Sequence, residues 1–151
     1  MGEYYGNSPR PEEILGLFVP ELRKATNLDQ EYVFRLSINK EKYRVSATNQ
    51  RTLESKEIAE FSLAQLPGCC GVCVSYHATT VSAFRKKGIG RIMNKFRLAL
   101  AANMKFGLIM CTVTNDNLSQ IKILEENGWG KTRTFTNPKT KRVIVLFEKA
   151  L

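Results

Sequence analysis

The chain has 151 residues, with 23 basic side chains against 14 acidic ones, a formal net charge of +9 and 43% hydrophobic residues. That length supports one hydrophobic core burying roughly 70% of the unfolded surface, so a single domain over residues 1–151 is expected. The composition is that of an ordinary soluble globular protein, and no apolar run approaches the ~18–20 residues of a membrane span.

The opening residues, MGEYYGNSPRP, lack the basic flank and apolar stretch of a signal peptide. Gly6 stands where an N-myristoylation signal following Gly2 carries Ser or Thr, so a cytoplasmic protein is expected. Residues 1–10 read as loose. Pro11 opens a helix to about Lys24 on Ile14, Leu15, Leu17, Phe18 and Leu22, with a break near Pro20. Tyr32–Ile38 and Tyr43–Ala47 read as two strands of a hairpin joined by the polar turn Asn39-Lys40-Glu41-Lys42. Thr52–Leu66 leans helical, because Leu53, Ile58, Phe61 and Leu66 lie near one another at helical spacing and Pro67-Gly68 stops the run.

Residues 69–82, rich in Val, Cys, Tyr and Thr, read as a long, mostly buried strand with room for a bulge. Cys69, Cys70 and Cys73 crowd onto it and Cys111 onto a later segment, unlike the spread cysteines of a stapled secreted domain. Cys70-x-x-Cys73 is a candidate zinc pair, but a closed site needs four ligands, and only Cys69, Cys111 and the single His77 remain. Small buried hydrophobes are the expected role, with no metal.

Ile89, Ile92, Met93, Phe96, Leu100 and Asn103 step through a helix at i, i+3, i+4, Gly107 ends it, and Leu108–Thr114 is another buried strand. Strand, helix, strand in that order makes a parallel crossover unit. Asn117 caps a further short helix, with Gln120 completing a capping box. Gly128 ends that helix and lets Trp129 fold back on Leu124 in a Schellman-type cap. A last hairpin, about Lys131–Phe135 and Arg142–Glu148, turns at Asn137-Pro138-Lys139.

Charge is unevenly laid out along these elements. From Phe61 to Asn115 there is no Asp or Glu, while Arg85, Lys86, Lys87, Arg91, Lys95, Arg97 and Lys105 fall inside the stretch. Such a run sets up a positive field that attracts phosphates, of a cofactor or of a nucleic acid. Its densest part, Arg85-Lys86-Lys87-Gly88-Ile89-Gly90, sits where a strand becomes a helix. A helix N-terminus presents unpaired backbone N–H groups and a partial positive charge. Glycines there let a pyrophosphate approach the backbone. The spacing is neither that of a P-loop nor that of the dinucleotide fingerprint.

The run is similar to the Arg/Gln-x-x-Gly-x-Gly/Ala signature of the GNAT family of N-acetyltransferases. Asn117-Leu118-Ser119-Gln120-Ile121-Lys122-Ile123-Leu124-Glu125-Glu126-Asn127-Gly128-Trp129 is similar to that family's Asn-x-x-Ala-x-x-Leu-Tyr-x-x-x-Gly-Phe segment, at the family's separation and also after a strand. The resemblance covers roughly residues 69–151. It implies an α/β fold: a mixed, mostly antiparallel twisted sheet of about six to seven strands flanked by helices, with the parallel strand–helix–strand crossover at the centre.

The resemblance further implies acetyl-CoA as cosubstrate and transfer of its acetyl group to a primary amine by direct attack. Arg85, Lys86, Lys87, Gly88, Ile89, Gly90 and Arg91 would hold the pyrophosphate, and Val81 and Ser82 would lend backbone groups to the pantetheine arm. Asn117 is either a helix cap alone or a cap that also faces the cofactor. A backbone N–H of the long strand would polarise the thioester carbonyl. His77, with a pKa range suited to proton abstraction, is the candidate general base, with Glu57 and Glu60 as runners-up. Two departures stand out: the family's tyrosine slot holds Leu124, and residues 1–13 offer no first strand. The acceptor is open between a small molecule and a protein amine, with an acidic or nucleic-acid partner suited to the basic surface. A monomer or homodimer is expected. The competing classes are a basic nucleic-acid-associated module and a coenzyme A sensor that binds without turnover.

Overall fold

The computed structural model describes residues 8–151, so most of the loose start expected over residues 1–10, and Gly2 with it, lies outside the described residues. Helix α1 spans Pro11–Gly16 with Pro at its first position, and the Arg10 N–H donates to Glu13 Oε2 at 3.3 Å. The chain breaks at Leu17 and Phe18, and α2 follows over Val19–Thr26. Pro20 therefore sits inside the first turn of α2 rather than at the break, in a place where a missing N–H costs no helical hydrogen bond.

Among the described residues seven strands form one sheet: β1 (Tyr32–Asn39), β2 (Lys42–Asn49), β3 (Ser55–Gln65), β4 (Val72–Thr80), β5 (Leu108–Thr114), β6 (Gly130–Thr136) and β7 (Val143–Ala150). Their order is β1-β2-β3-β4-β5-β7-β6. All neighbours run antiparallel except β4 and β5, which are joined through helix α3 (Ile89–Asn103). Helix α4 (Leu118–Glu126) leads from β5 to β6, and β7 then returns between β5 and β6. The mixed sheet expected from the family resemblance is the sheet observed.

The helix expected over Thr52–Leu66 is a strand. Its middle is buried at Ile58, Ala59, Phe61, Ser62 and Leu63, which is neither alternation nor a helical stripe. The register slips against β2 at Val45/Ser46 and against β4 at Glu60/Ser62. At the first slip Ile58 is the extra residue, so Ile58 and Ala59 are both buried and the period-2 signal breaks; at the second the extra residue lies on β4. Partners on both edges then satisfy the backbone of a segment rich in helix formers, and tertiary pairing overrides propensity.

Core packing fixes α3 on the sheet. Phe96 is fully buried, with its ring 5.6 Å from that of Phe61 and 6.1 Å from that of Phe18, while Tyr43 stacks on Phe61 at 5.4 Å. Each such aromatic contributes about 1.5–3 kcal/mol by leaving water. The buried-cysteine expectation holds for Cys73 and Cys111 only. Cys69 and Cys70 are exposed, because they fall in the turn before β4 rather than in the strand. Among the described residues no helix is long and apolar enough to cross a membrane.

Candidate functional site

The parallel pairing of β4 with β5 covers only Val72↔Leu108, Cys73↔Ile109 and Val74↔Met110. Beyond Val74 the two strands part, although β5 stays paired with β7 as far as Thr114. The cause lies on the other edge of β4. Glu60 pairs with Thr79 and Ser62 with Tyr76, so Phe61 alone faces His77 and Ala78, and this bulge bends the strand. His77 takes the left-handed conformation the bulge needs, with φ 51°, a region histidine tolerates better than most residues. The edge of β4 that leaves β5 thereby exposes backbone groups with no strand partner.

Over this split stands the N-terminus of α3. A 3-10 turn at Ser82–Phe84 reverses the chain, Lys86 adopts φ 61°, and Gly88 is the helix N-cap at φ 83°. Among the described residues no side chain caps the helix, so the first-turn amides of a 15-residue helix are open to a ligand. A Cβ built on Gly88 would meet no atom within 4 Å, whereas one on Gly90 would come to 3.1 Å of Ile123 Cδ1. The two glycines thus differ in cause: Gly88 permits the left-handed cap, and Gly90 lets α4 approach α3.

Split and helix mouth share one cavity of about 410 Å³. Its rim holds Arg85, Lys86, Gly88 and Arg91; its walls include Thr79, Thr80, Phe61, Gln120 and Ile123. Arg85 Nε donates to the Thr80 carbonyl at 2.9 Å, which fixes that side chain beside the loop. Arg91 Nε donates to Glu126 Oε2 at 3.0 Å and ties α3 to α4, and the guanidinium holds the Glu126 carboxyl below the usual carboxylate range.

Of the residues singled out in the sequence, the cavity brings together Arg85, Lys86, Gly88, Ile89, Gly90 and Arg91. Val81 faces a smaller adjoining space of about 320 Å³ with Arg44, Glu57 and Glu60. Lys87 turns aside, with Nζ 5.8 Å from the Phe84 ring centroid, and Ser82 starts the 3-10 turn outside the lining set. Asn117 is the α4 cap: its Oδ1 accepts from the Gln120 N–H at 3.3 Å. The reciprocal half of the expected box does not form, because the Asn117 N–H donates to the Thr114 carbonyl at 3.0 Å and Gln120 lines the cavity. His77 is exposed on the bulge, against the Tyr76 ring at 5.0 Å and outside the lining set. Glu60 lines both spaces, with Oε2 3.2 Å from Arg44 Nε and Oε1 3.9 Å from Lys42 Nζ. Sequence reasoning missed Asn94 and Arg97, which line the cavity from the buried face of α3. Among the described residues no three His, Cys, Asp or Glu side chains group to hold a metal ion.

No protein-family model and no curated protein matches the chain. Solved structures do. A GNAT family acetyltransferase from Elizabethkingia anophelis with acetyl-CoA bound superposes with TM-score 0.63 at 12% identity, over 82% of this chain and 100% of that one. An acetyltransferase from Bacillus subtilis in complex with CoA gives TM-score 0.65 at 10% identity, over 80% and 99%. The IAA acetyltransferase from Bacillus cereus gives 0.61 at 14% identity, over 94% and 93%. With its parted central strands and its uncapped helix above them, the chain has the GNAT acetyltransferase fold.

Proposed function

We propose that the protein is an acetyl-CoA-dependent N-acetyltransferase acting on a primary amine. The observation that carries this reading is the open cavity joining the bare N-terminus of α3 to the split between β4 and β5. The residues fit the group: backbone amides, Arg85, Lys86 and Arg91 suit a diphosphate, and the free edge of β4 suits an amide-rich arm. Bound acetyl-CoA would supply the activated acyl carbon. The two solved relatives that carry acetyl-CoA or CoA support the same reading.

The backbone N–H of Ala78, beside the bulge on the free edge of β4, then orients and polarises the thioester carbonyl, while Thr79 pairs with Glu60 of β3. The amine nitrogen bonds to the acyl carbon, the carbon–sulfur bond breaks, and its electron pair leaves on sulfur. We assign the ammonium proton to Glu60, directly or through water, because Glu60 lines the cavity and the exposed His77 does not. Leu124, in the family's tyrosine slot, is fully buried and donates nothing. A thiol with a pKa near the free-cysteine value of about 8.5 leaves as thiolate without an acid. Glu57, beside Arg44 at 3.4 Å in the adjoining space, keeps that wall charged for an approaching amine. The test is thiol release from acetyl-CoA across a panel of small amines, amino acids and lysine peptides. Release that depends on amine and enzyme supports transfer; tight binding with no release from any amine refutes it.

A further inference from the structure

Two polar side chains occupy positions on α3 where its inward stripe calls for apolar ones. Asn94 is 2% and Arg97 3% exposed, one helical turn apart, and both line the cavity. Arg97 Nη1 donates to Ser75 Oγ at 3.0 Å and Nη2 donates to Asn94 Oδ1 at 2.8 Å. The guanidinium carbon lies 5.2 Å from the Trp129 ring centroid, stacked on an aromatic face. A guanidinium offers five N–H donors, and these two bonds leave three. Among the described residues Arg97 Nε has no acceptor, and neither does Asn94 Nδ2.

Among the described residues no acidic side chain pairs with Arg97. The adjacent thiols of Cys73 and Cys111 are uncharged near neutral pH, since burial pushes each up to about 11. A buried cation without a counter-charge is among the costliest arrangements a core can hold, and a hydrophobic residue of similar size would be better tolerated. Such a violation of local rules at a cavity wall marks a functional site.

We propose that Arg97 and Asn94 form a carboxylate-binding subsite in the cavity, with Ser75 holding the guanidinium from outside the lining, for a small molecule that carries a carboxylate. Arg97 lies eight residues past Ile89 on α3, about 12 Å from the helix mouth at 1.5 Å per residue. The inference rests on the reading in which that mouth holds the coenzyme A diphosphate: the subsite then faces the reacting end. A planar fork with free donors matches a carboxylate in shape, and Phe61, Met93 and Ile123 favour a short carbon chain leading to it. The carboxylate belongs either to the acyl group of the thioester or to the amine acceptor.

Three titrations on the wild type, Arg97→Met and Arg97→Lys test this. The first compares succinyl-CoA with butyryl-CoA. The second, with CoA saturating, compares leucine with 3-methylbutylamine. The third follows thermal unfolding with succinate alone. A preference of at least tenfold for the carboxylate in the first pair assigns it to the acyl donor, and in the second pair to the acceptor. Either preference falls to about onefold in Arg97→Met and is partly kept in Arg97→Lys. If no coenzyme A compound binds, stabilisation by succinate of the wild type but not of Arg97→Met upholds the subsite while the donor reading fails. Discrimination that survives Arg97→Met, or none in any of the three, overturns the proposal.

Discussion

Replacing Gly88 and Gly90 separately by alanine distinguishes two reasons for a glycine at a helix mouth. At Gly88 the backbone is left-handed with φ 83°, and a new Cβ would meet nothing within 4 Å. The strain is therefore backbone strain alone, about 1–2 kcal/mol for an L-residue. For a chain of this length each kcal/mol shifts Tm by about 2–4 °C, so Gly88→Ala should unfold roughly 2–8 °C below the wild type. Gly88→Asn should lose less, because asparagine tolerates that conformation. At Gly90 the backbone is helical, and alanine gains up to about 1 kcal/mol of propensity. Its Cβ would approach Ile123 Cδ1 at 3.1 Å, but that atom ends a flexible side chain and can turn aside. The two effects offset, and Tm should stay within about 2 °C. Thermal unfolding followed by circular dichroism reads both variants. Gly88→Ala as stable as the wild type would refute the left-handed cap, and a larger loss at Gly90 than at Gly88 would invert the argument.

The remaining expectations concern single groups. Asn117→Ala removes the α4 cap and should cost about 1 kcal/mol, with coenzyme A affinity changed by less than twofold; a tenfold loss of affinity would put Asn117 in the binding site. Glu60→Gln should lower kcat at least a hundredfold while His77→Ala lowers it less than threefold, and the reverse order would return the proton-acceptor role to His77. Thiol labelling of the native protein at pH 8 should reach Cys69 and Cys70 and spare Cys73 and Cys111. Burial lifts the Cys73 and Cys111 thiols from the ordinary 9.0 to about 11 in the folded state, so between those values the unfolded chain binds fewer protons than the folded one. Their contribution to stability is then full below pH 9 and lost as pH rises to about 11, and Cys73→Ala or Cys111→Ala should flatten that slope.

What the sequence made legible was local. The apolar positions of α3 follow a 3.6 period, and the end of α4 closes as read, with the Trp129 N–H on the Leu124 carbonyl at 3.0 Å and Gly128 at φ 79°. What it hid was set by partners distant in sequence. Strand β3 is a strand because β2 and β4 flank it, and its bulge at Ile58 breaks the alternation that would have revealed it. The return of β7 between β5 and β6 leaves no local mark. The loop at Arg85–Gly90 was readable because cations, glycines and a helix start coincide in one short run. Arg97 was readable in principle. It lies four residues after Met93 and three before Leu100, on the buried stripe, yet it passed as one more cation in an acid-free stretch.

Calorimetric titration of coenzyme A and acetyl-CoA into the wild type and Gly88→Val bears most directly on the proposed site. One site per chain is expected for the wild type, and at a hundred times Kd a stabilisation of about 2.7 kcal/mol that raises Tm by roughly 5–11 °C. In Gly88→Val a branched side chain enters the open space above the uncapped amides, and Kd should rise at least tenfold. No heat with either compound, or equal affinity in the two proteins, would contradict a diphosphate site at the mouth of α3.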